Sequence, residues 1–192
     1  MKKVSFNEIE ELLIENPVIA AIRNKQDLEN VLKSNVLIVF VLYGNIMNIS
    51  DICKILKDKG KIVFIHIDLI EGLKGDHIGV EFIKKYVEPM GILTTKPSNI
   101  KHAKAIGLYA VQRVFLVDSL SLATGIKNIN DVKPNAVEVM PGIVGDIITG
   151  MVDRLKVPII AGGLVSSKKD VMGALKAGAL AISTTCEELW NI

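Results

Sequence analysis

Short apolar runs alternate with amphipathic helical segments along this chain, and the alternation is the feature that most restricts its fold. After one leading helical segment, the pattern of strand then helix repeats about eight times along the 192 residues. The runs are continuously apolar, which is typical of parallel strands covered on both faces, and parallel neighbours need a crossover helix. The pattern therefore predicts a compact α/β chain, a (β/α)8 TIM-barrel-like fold with an N-terminal helix.

The predicted strands have clear limits, and we expect residues 1–192 to form a single (β/α)8 barrel domain. Ser5–Glu8 fits a capping box for the leading helix, which Pro17 ends. A helix begins at Asp118 and fades near Gly125, and the last strand leads into a further helical segment. The strands are Val18–Ile22, Val36–Leu42, Ile62–Ile67, Gly91–Thr94, Tyr109–Val114, Ala136–Val139, a run that ends at Gly162–Gly163, and one from Ala181 to Thr185.

Composition and charge exclude several classes of protein. Hydrophobic residues make up 49% of the chain, too many for a disordered protein. The 23 basic and 21 acidic residues give a net charge of +2, which offers no global argument for nucleic acid or membrane. An open doubly wound sheet is the competing fold, but its glycine fingerprint is missing after the first strand.

We expect a soluble, cytoplasmic protein with inert thiols. The first three residues, Met1 to Lys3, lead into a polar amphipathic segment rather than a signal peptide. The longest apolar run, Val36 to Tyr43, is too short to span a bilayer. Cys53 and Cys186 lack metal-ligand spacing. The lysines Lys57, Lys59 and Lys61 are interpreted as the solvated face of an outer helix.

Small and hydroxylated residues follow the last two predicted strands. Gly162 and Gly163 end the seventh strand, and Ser183 and Thr184 end the eighth. In a barrel, the loops after these two strands often bind phosphate, because bare amides and helix N-termini meet there. A tight turn and a helix cap are the structural alternatives. The coincidence of both features at the expected places predicts an anion site.

Ionisable residues mark the ends of other strands: Arg23, His66, Asp68, Lys96, Arg113 and Glu138. One interpretation is a ring of salt bridges at the barrel mouth, and another is a set of ligand contacts. An enzyme is a further alternative, in which Lys96 forms a Schiff base with the substrate. His66 and Asp68 could instead act as an acid–base pair or begin a metal site. His77 and His102 lie in helical segments and are poor candidates to complete such a metal site.

At these same residues the chain resembles the glycerol-3-phosphate responsive antiterminators of bacterial glycerol uptake operons. The similarity runs from about Pro17 to Trp190, and the motifs are specific as a set although no single one is. They are Pro17–Arg23, Val63–Gly72, Gly91–Lys96, Gln112–Ser119, Val137–Gly142, Ile160–Gly163 and Ile182–Trp190.

The resemblance implies a barrel-shaped sensor of glycerol-3-phosphate that binds the leader mRNA of glycerol operons and prevents premature transcription termination. No catalytic residue, metal or cofactor is expected, and a homo-oligomer is compatible with the resemblance. A TIM-barrel enzyme of aldolase or isomerase type, acting on a small phosphorylated sugar or polyol, is the alternative. The ligand's phosphate is expected at Gly162, Gly163, Ser183, Thr184, Lys96 and Arg113, and its hydroxyls at Arg23, His66, Asp68 and Glu138.

Overall fold

Eight parallel strands close into a barrel in chain order, with β8 paired to β1. The computed structural model describes residues 5–192, and within them it confirms the predicted TIM-barrel architecture. The strands are β1 Val18–Ile22, β2 Ile38–Val41, β3 Ile62–His66, β4 Gly91–Thr94, β5 Tyr109–Phe115, β6 Ala136–Met140, β7 Ile159–Gly162 and β8 Ala181–Thr184. The helices are α1 Phe6–Glu15, α2 Lys25–Val31, α3 Ile49–Asp58, α4 His77–Phe82, α5 Pro97–Ala105, α6 Ser119–Val132, α7 Gly145–Val152 and α8 Lys168–Lys176.

The leading helix α1 packs against the side chains that fill the barrel interior. Its capping box is present as predicted, because the Ser5 hydroxyl accepts from the Glu8 amide and the Glu8 carboxylate accepts from the Ser5 amide. Ile9 and Leu13 are buried in one cluster with the interior residue Phe64. A small apolar cavity of about 10 Å³ lies between this helix and the interior. This part of the barrel is therefore filled with apolar side chains, and it offers no polar site.

The inward-facing side chains change from apolar to polar toward the carboxyl ends of the strands. Val111, Ala136 and Ala181 belong to the interior cluster. Two residues further along the same strands lie Arg113, Glu138 and Ser183, all buried. Because side chains alternate between the two faces of a strand, each polar residue projects into the barrel above its apolar neighbour.

Two predicted helical segments were wrong in extent. Helix α6 does not fade near Gly125 but continues to Val132, with Ile129 and Val132 buried. A Cβ at Gly125 would lie 3.9 Å from Val114 Cγ1, so the glycine sits where the helix packs close to β5. The segment after β8 forms only a 3₁₀ turn, Glu187–Leu189, instead of an α-helix. Tertiary packing outweighs the low helix propensity of glycine in α6.

Strand limits also differ from the predictions at several ends. Strand β2 begins at Ile38 rather than Val36 and ends at Val41, and β3 ends at His66 rather than Ile67. Strands β5 and β6 extend to Phe115 and Met140. Strand ends are set by which backbone groups find a ladder partner, which apolar runs do not specify.

Lys61 was wrongly interpreted as a solvated lysine. It is only 6% exposed, and its ammonium donates 2.7 Å hydrogen bonds to the carbonyls of Ser34 and Val36. Burial lowers the pKa of this ammonium. Since Ser34 and Val36 follow α2, the charge meets carbonyl groups left free beyond a helix C-terminus.

Candidate ligand-binding site

A cavity of about 80 Å³ opens where strands β5 to β8 end, at the place the sequence predicts for an anion. It lies far below the roughly 300–1,000 Å³ of pockets for drug-sized ligands, so it suits a small metabolite. Four of the predicted phosphate residues line it. The lining residues are Ala21, Leu42, Arg113, Glu138, Met140, Gly163, Leu164, Val165, Ser183, Thr184 and Thr185.

A buried chain of polar side chains forms the floor of the cavity. Arg113 and Glu138 are register partners on β5 and β6, and Arg113 Nε lies 2.5 Å from Glu138 Oε2. The other carboxylate oxygen, Oε1, accepts a 2.5 Å hydrogen bond from the Ser183 hydroxyl. Arg113 is 6% exposed and Glu138 is fully buried. The two charges compensate each other, which removes most of the cost of burying either alone.

The glycine pair at the end of β7 is required by space and by backbone conformation. A Cβ at Gly162 would lie 2.6 Å from Ser183 Oγ and 2.8 Å from Glu138 Oε1, so any side chain would displace the polar floor. Gly163 has a φ of +72°, and a Cβ there would meet the Met140 methyl carbon at 2.7 Å. The pair is therefore more than a tight turn, because it leaves room for the buried chain.

Backbone amides without a partner belong to three of the residues that line the cavity. Within residues 5–192, no hydrogen bond engages the N–H groups of Gly163, Leu164 or Thr185, and all three residues line the cavity. Free amides beside a buried guanidinium form a cradle for a phosphate or carboxylate. Thr185 stands two residues after Ser183, on the same face of the chain, and that spacing is the signal that could have identified it.

Thr184 holds the walls of the cavity together. Its hydroxyl donates to the Val165 carbonyl at 2.6 Å and accepts from the Cys186 amide at 3.0 Å. Its own carbonyl accepts a 3.0 Å hydrogen bond from Trp190 Nε1. The Thr184 hydroxyl thus ties the loop after β7 to the segment after β8.

His66 is buried in the barrel but does not line the cavity. It is 2% exposed, and its Nδ1 has no hydrogen-bond partner among the described residues. Burial and the nearby Arg113 charge lower the pKa of His66 to about 4, against an opposing effect of Asp68. The imidazole is therefore neutral near pH 7, and it can accept or donate one hydrogen bond at the unpaired nitrogen.

Asp68 and Lys96 lie away from the cavity, on the β3–β4 side of the barrel mouth. The Asp68 carboxylate accepts from the Thr94 hydroxyl and from the Thr95 amide and hydroxyl, at 2.8–3.1 Å. Lys96 Nζ donates to the Gly75 carbonyl at 2.6 Å and lies 4.0 Å from Asp68 Oδ1. Neither residue lines the cavity, although Lys96 was predicted to contact the phosphate of the ligand and Asp68 its hydroxyls.

The Arg23 side chain points toward the first turn of α2 and not into the cavity. Its side chain is 58% exposed and lies 3.6 Å from the Asp27 carboxylate, which also accepts from the Arg23 amide at 2.7 Å. Asp27 belongs to the first turn of α2. This contact closes the turn between β1 and α2, and the residue is separated from the ligand-binding cavity.

The remaining candidates for metal or thiol chemistry are dispersed. In the described part of the chain, no group of three or more His, Cys, Asp or Glu side chains could hold a metal ion. His77 and His102 stack on each other, with ring centroids 4.5 Å apart, between α4 and α5. Burial raises the pKa of the Cys53 thiol to about 11, which keeps it protonated at neutral pH.

Across residues 5–192, no helix has both the length and the apolar character needed to cross a bilayer.

The chain matches the model of a known protein family and a curated relative. The family model described as glycerol-3-phosphate responsive antiterminator matches residues 18–190. The uncharacterized protein YgcP of Escherichia coli (strain K12) is 38% identical over 181 residues, 94% of this chain and 95% of that protein.

Two solved structures are also similar. The glycerol uptake operon antiterminator regulatory protein of Listeria monocytogenes str. 4b F2365 matches with a TM-score of 0.89 and 31% identity, over 91% of this chain and 95% of that one. A glycerol uptake operon antiterminator-related protein of Thermotoga maritima MSB8 matches with a TM-score of 0.80 and 34% identity, over 90% and 96% of the two chains. The chain therefore belongs to the glycerol-3-phosphate responsive antiterminator family.

Proposed function

We propose that this protein is a regulator that binds glycerol-3-phosphate in the cavity between β5 and β8. In the bound state it attaches to the leader mRNA of glycerol operons and prevents premature transcription termination. The observation that carries the proposal is the small cavity lined by the buried Arg113 and by three residues whose backbone amides have no partner in residues 5–192. Membership of the family supports the choice of effector.

The phosphate belongs on the amides of Gly163, Leu164 and Thr185. These N–H groups have no competing acceptor in residues 5–192, and the Arg113 guanidinium adds positive charge nearby. Glu138 and Ser183 are the hydrogen-bonding partners for the glycerol hydroxyls, because both line the same cavity. A ligand in this cavity contacts the loop after β7 and the loop after β8 at the same time. Its binding therefore favours the conformation in which these two loops are closest.

Isothermal calorimetry tests the effector site. Wild-type protein should bind glycerol-3-phosphate, and Gly163→Asp should abolish binding, because a carboxylate there repels the phosphate and crowds Met140. Gly107→Asp is the matched control, since Gly107 also has a positive φ, +82°, but has open space around it. No heat with wild-type protein, or unchanged affinity in Gly163→Asp, would contradict the assignment.

A gel shift tests the RNA step. Leader RNA from the glycerol operons of the same genome should be retarded only when glycerol-3-phosphate is present. Glycerol alone and inorganic phosphate are the controls, because each provides only half of the effector's contacts. Retardation that does not depend on glycerol-3-phosphate would overturn the claim that this protein is an effector-responsive antiterminator.

A further inference from the structure

Leu164 lies at the opening of the ligand-binding cavity in a backbone conformation that leucine rarely adopts. Its φ is +59°, in the left-handed region where a Cβ crowds the backbone and glycine or asparagine is the usual residue. Leu164 is large and apolar, yet it is 71% exposed, and it also lines the cavity. The strain and the exposure do not stabilise the free protein, so they point to a role in binding.

The other non-glycine residues with a positive φ in residues 5–192 have an ordinary explanation. Glu88 and Lys133 each come directly after a helical segment. Their N–H groups donate back to the carbonyls of Ile83 and Ile129, and a left-handed residue commonly ends a helix in this way. Leu164 follows a strand instead, and neither its N–H nor its C=O takes part in a hydrogen bond within the same residues.

The residues on either side of Leu164 are held in place by hydrogen bonds. The Gly163 carbonyl accepts from the Gly142 amide at 3.1 Å. On the other side, Val165 is buried, and its carbonyl accepts from the Thr184 hydroxyl at 2.6 Å. Leu164 is therefore a single unbonded residue between two fixed ones, and it can turn without breaking a hydrogen bond of the described chain.

We propose that Leu164 is the lid of the ligand-binding cavity. In the free protein its side chain lies in solvent. When the anionic group of a ligand accepts a hydrogen bond from the Leu164 amide, the residue turns and its side chain covers the opening. Met140 lines the same cavity, and its methyl carbon would lie 2.7 Å from a Cβ at Gly163, so it offers an apolar surface next to the closed leucine.

Closure would strengthen the binding of a small anion. A leucine over the opening excludes water, and the attraction between a phosphate and the buried Arg113 is stronger where water is absent. A ligand that projects out of the cavity would hold the leucine open. The lid therefore favours small phosphorylated polyols over longer sugar phosphates. This inference rests on the effector binding proposed above and adds how the site closes.

The solvent accessibility of the Leu164 methyl groups measures closure directly. In protein with ¹³C-labelled leucine methyl groups, a soluble paramagnetic agent broadens the NMR signals of exposed methyl groups. The Leu164 signals should be broadened strongly in the free protein and severalfold less with saturating glycerol-3-phosphate. Leu120 is the control, because it is also 71% exposed but lies on α6 and does not line the cavity. Its signals should be broadened equally in both states.

The affinities of three variants separate the Leu164 side chain from its backbone. Leu164→Gly removes the lid and relieves the strain, whereas Leu164→Asn keeps a side chain of similar shape that tolerates the left-handed region but is polar. Calorimetry should show about tenfold weaker binding of glycerol-3-phosphate for both. Their melting temperatures should be no lower than that of the wild type. Lys133→Gly makes the same backbone change outside the cavity and should keep the wild-type affinity.

The results distinguish a failure of the lid from a failure of the proposed function. If glycerol-3-phosphate binds the wild type but leaves the Leu164 methyl groups as accessible as before, the lid is overturned and the effector site stands. Wild-type affinity in both Leu164→Gly and Leu164→Asn has the same meaning.

If the wild type binds no glycerol-3-phosphate, the proposed function fails and inorganic phosphate at millimolar concentration replaces the effector in the NMR experiment. Phosphate is a suitable probe because the anionic group alone is proposed to engage the Leu164 amide. Protection of the Leu164 methyl groups but not of those of Leu120 would support an anion-driven lid. Equal broadening with and without phosphate would overturn it.

Discussion

The two sides of the barrel mouth contain similar residues but differ in what those residues contact. On the β3–β4 side, the Asp68 carboxylate is satisfied by Thr94 and Thr95, and Lys96 is bonded to a backbone carbonyl. On the β5–β8 side, a cavity remains above the Arg113–Glu138 pair. A charged residue at a strand end therefore does not by itself indicate a ligand contact. Glycines and amides that have no partner distinguish the β5–β8 side, where we propose that the ligand binds.

We expect the largest loss of stability when the buried ion pair on the β5–β8 side is broken. Glu138→Ala leaves Arg113 buried without its carboxylate partner, and we expect a loss of about 3–5 kcal/mol in the free energy of unfolding. Urea denaturation measures this loss. The double variant Arg113→Met with Glu138→Leu is the control, and it should recover much of the stability because no charge is left unpaired. A loss below about 1 kcal/mol in Glu138→Ala would contradict the assigned pairing.

His66 should make the free energy of unfolding depend on pH. Its pKa is affected by Arg113 on one side of the barrel mouth and by Asp68 on the other. Its ordinary pKa is 6.5 and its folded pKa is about 4, so between these values the unfolded chain binds a proton that the folded chain does not. The free energy of unfolding should therefore fall as the pH drops from 6.5 to 4, by about 3 kcal/mol in total, and His66 should have no effect above this range.

The comparison of wild type with His66→Gln isolates this contribution. Urea titrations at several pH values should give curves that diverge below pH 6.5, with the variant losing less stability. His77 and His102 are present in both proteins, so their titration cancels. Parallel curves down to pH 4 would mean that His66 is protonated normally in the folded state.

The Asp68 side chain should contribute to the stability of the protein and not to its affinity for glycerol-3-phosphate. Asp68→Ala leaves the buried Thr94 hydroxyl and the Thr95 amide without their acceptor, and we expect a loss of about 1–3 kcal/mol. Glycerol-3-phosphate affinity, measured by calorimetry at a temperature where the variant is folded, should be unchanged. A large loss of affinity would show that the two sides of the mouth do not act separately.

Lys96 should give the smallest effect. Its side chain is 52% exposed and its ammonium is 4.0 Å from Asp68, so Lys96→Met should cost less than about 1 kcal/mol. We also expect the affinity for glycerol-3-phosphate to stay within twofold of wild type. A tenfold loss of affinity would show that Lys96 contacts the phosphate, as the sequence predicts.

The barrel could be predicted because each strand is a continuous apolar run that ends in a turn. Because side chains alternate along a strand, Arg113, Glu138 and Ser183 were also expected on the same face of β5, β6 and β8. The glycines at the end of β7 indicated the side on which we propose that the ligand binds. The sequence does not reveal which hydroxyls are already used. The Thr184 hydroxyl, for example, is bonded to the Val165 carbonyl and the Cys186 amide.

Side-chain reach accounts for the other differences. Arg23 and Lys96 follow β1 and β4, and both side chains are long enough to turn toward nearer partners, Asp27 and Gly75. Lys61 is buried for the same reason, because its ammonium reaches carbonyls that follow α2. The length and exposure of α6 depend on its packing against β5, which no local pattern within α6 contains.

The hydrogen bond between Trp190 and Thr184 gives the protein a natural optical reporter. Trp190 is the single tryptophan of the sequence and is only 3% exposed. Its indole N–H contacts the carbonyl of a residue that lines the ligand-binding cavity. Its fluorescence is therefore expected to respond both to effector binding and to unfolding, so both can be followed in the unlabelled protein.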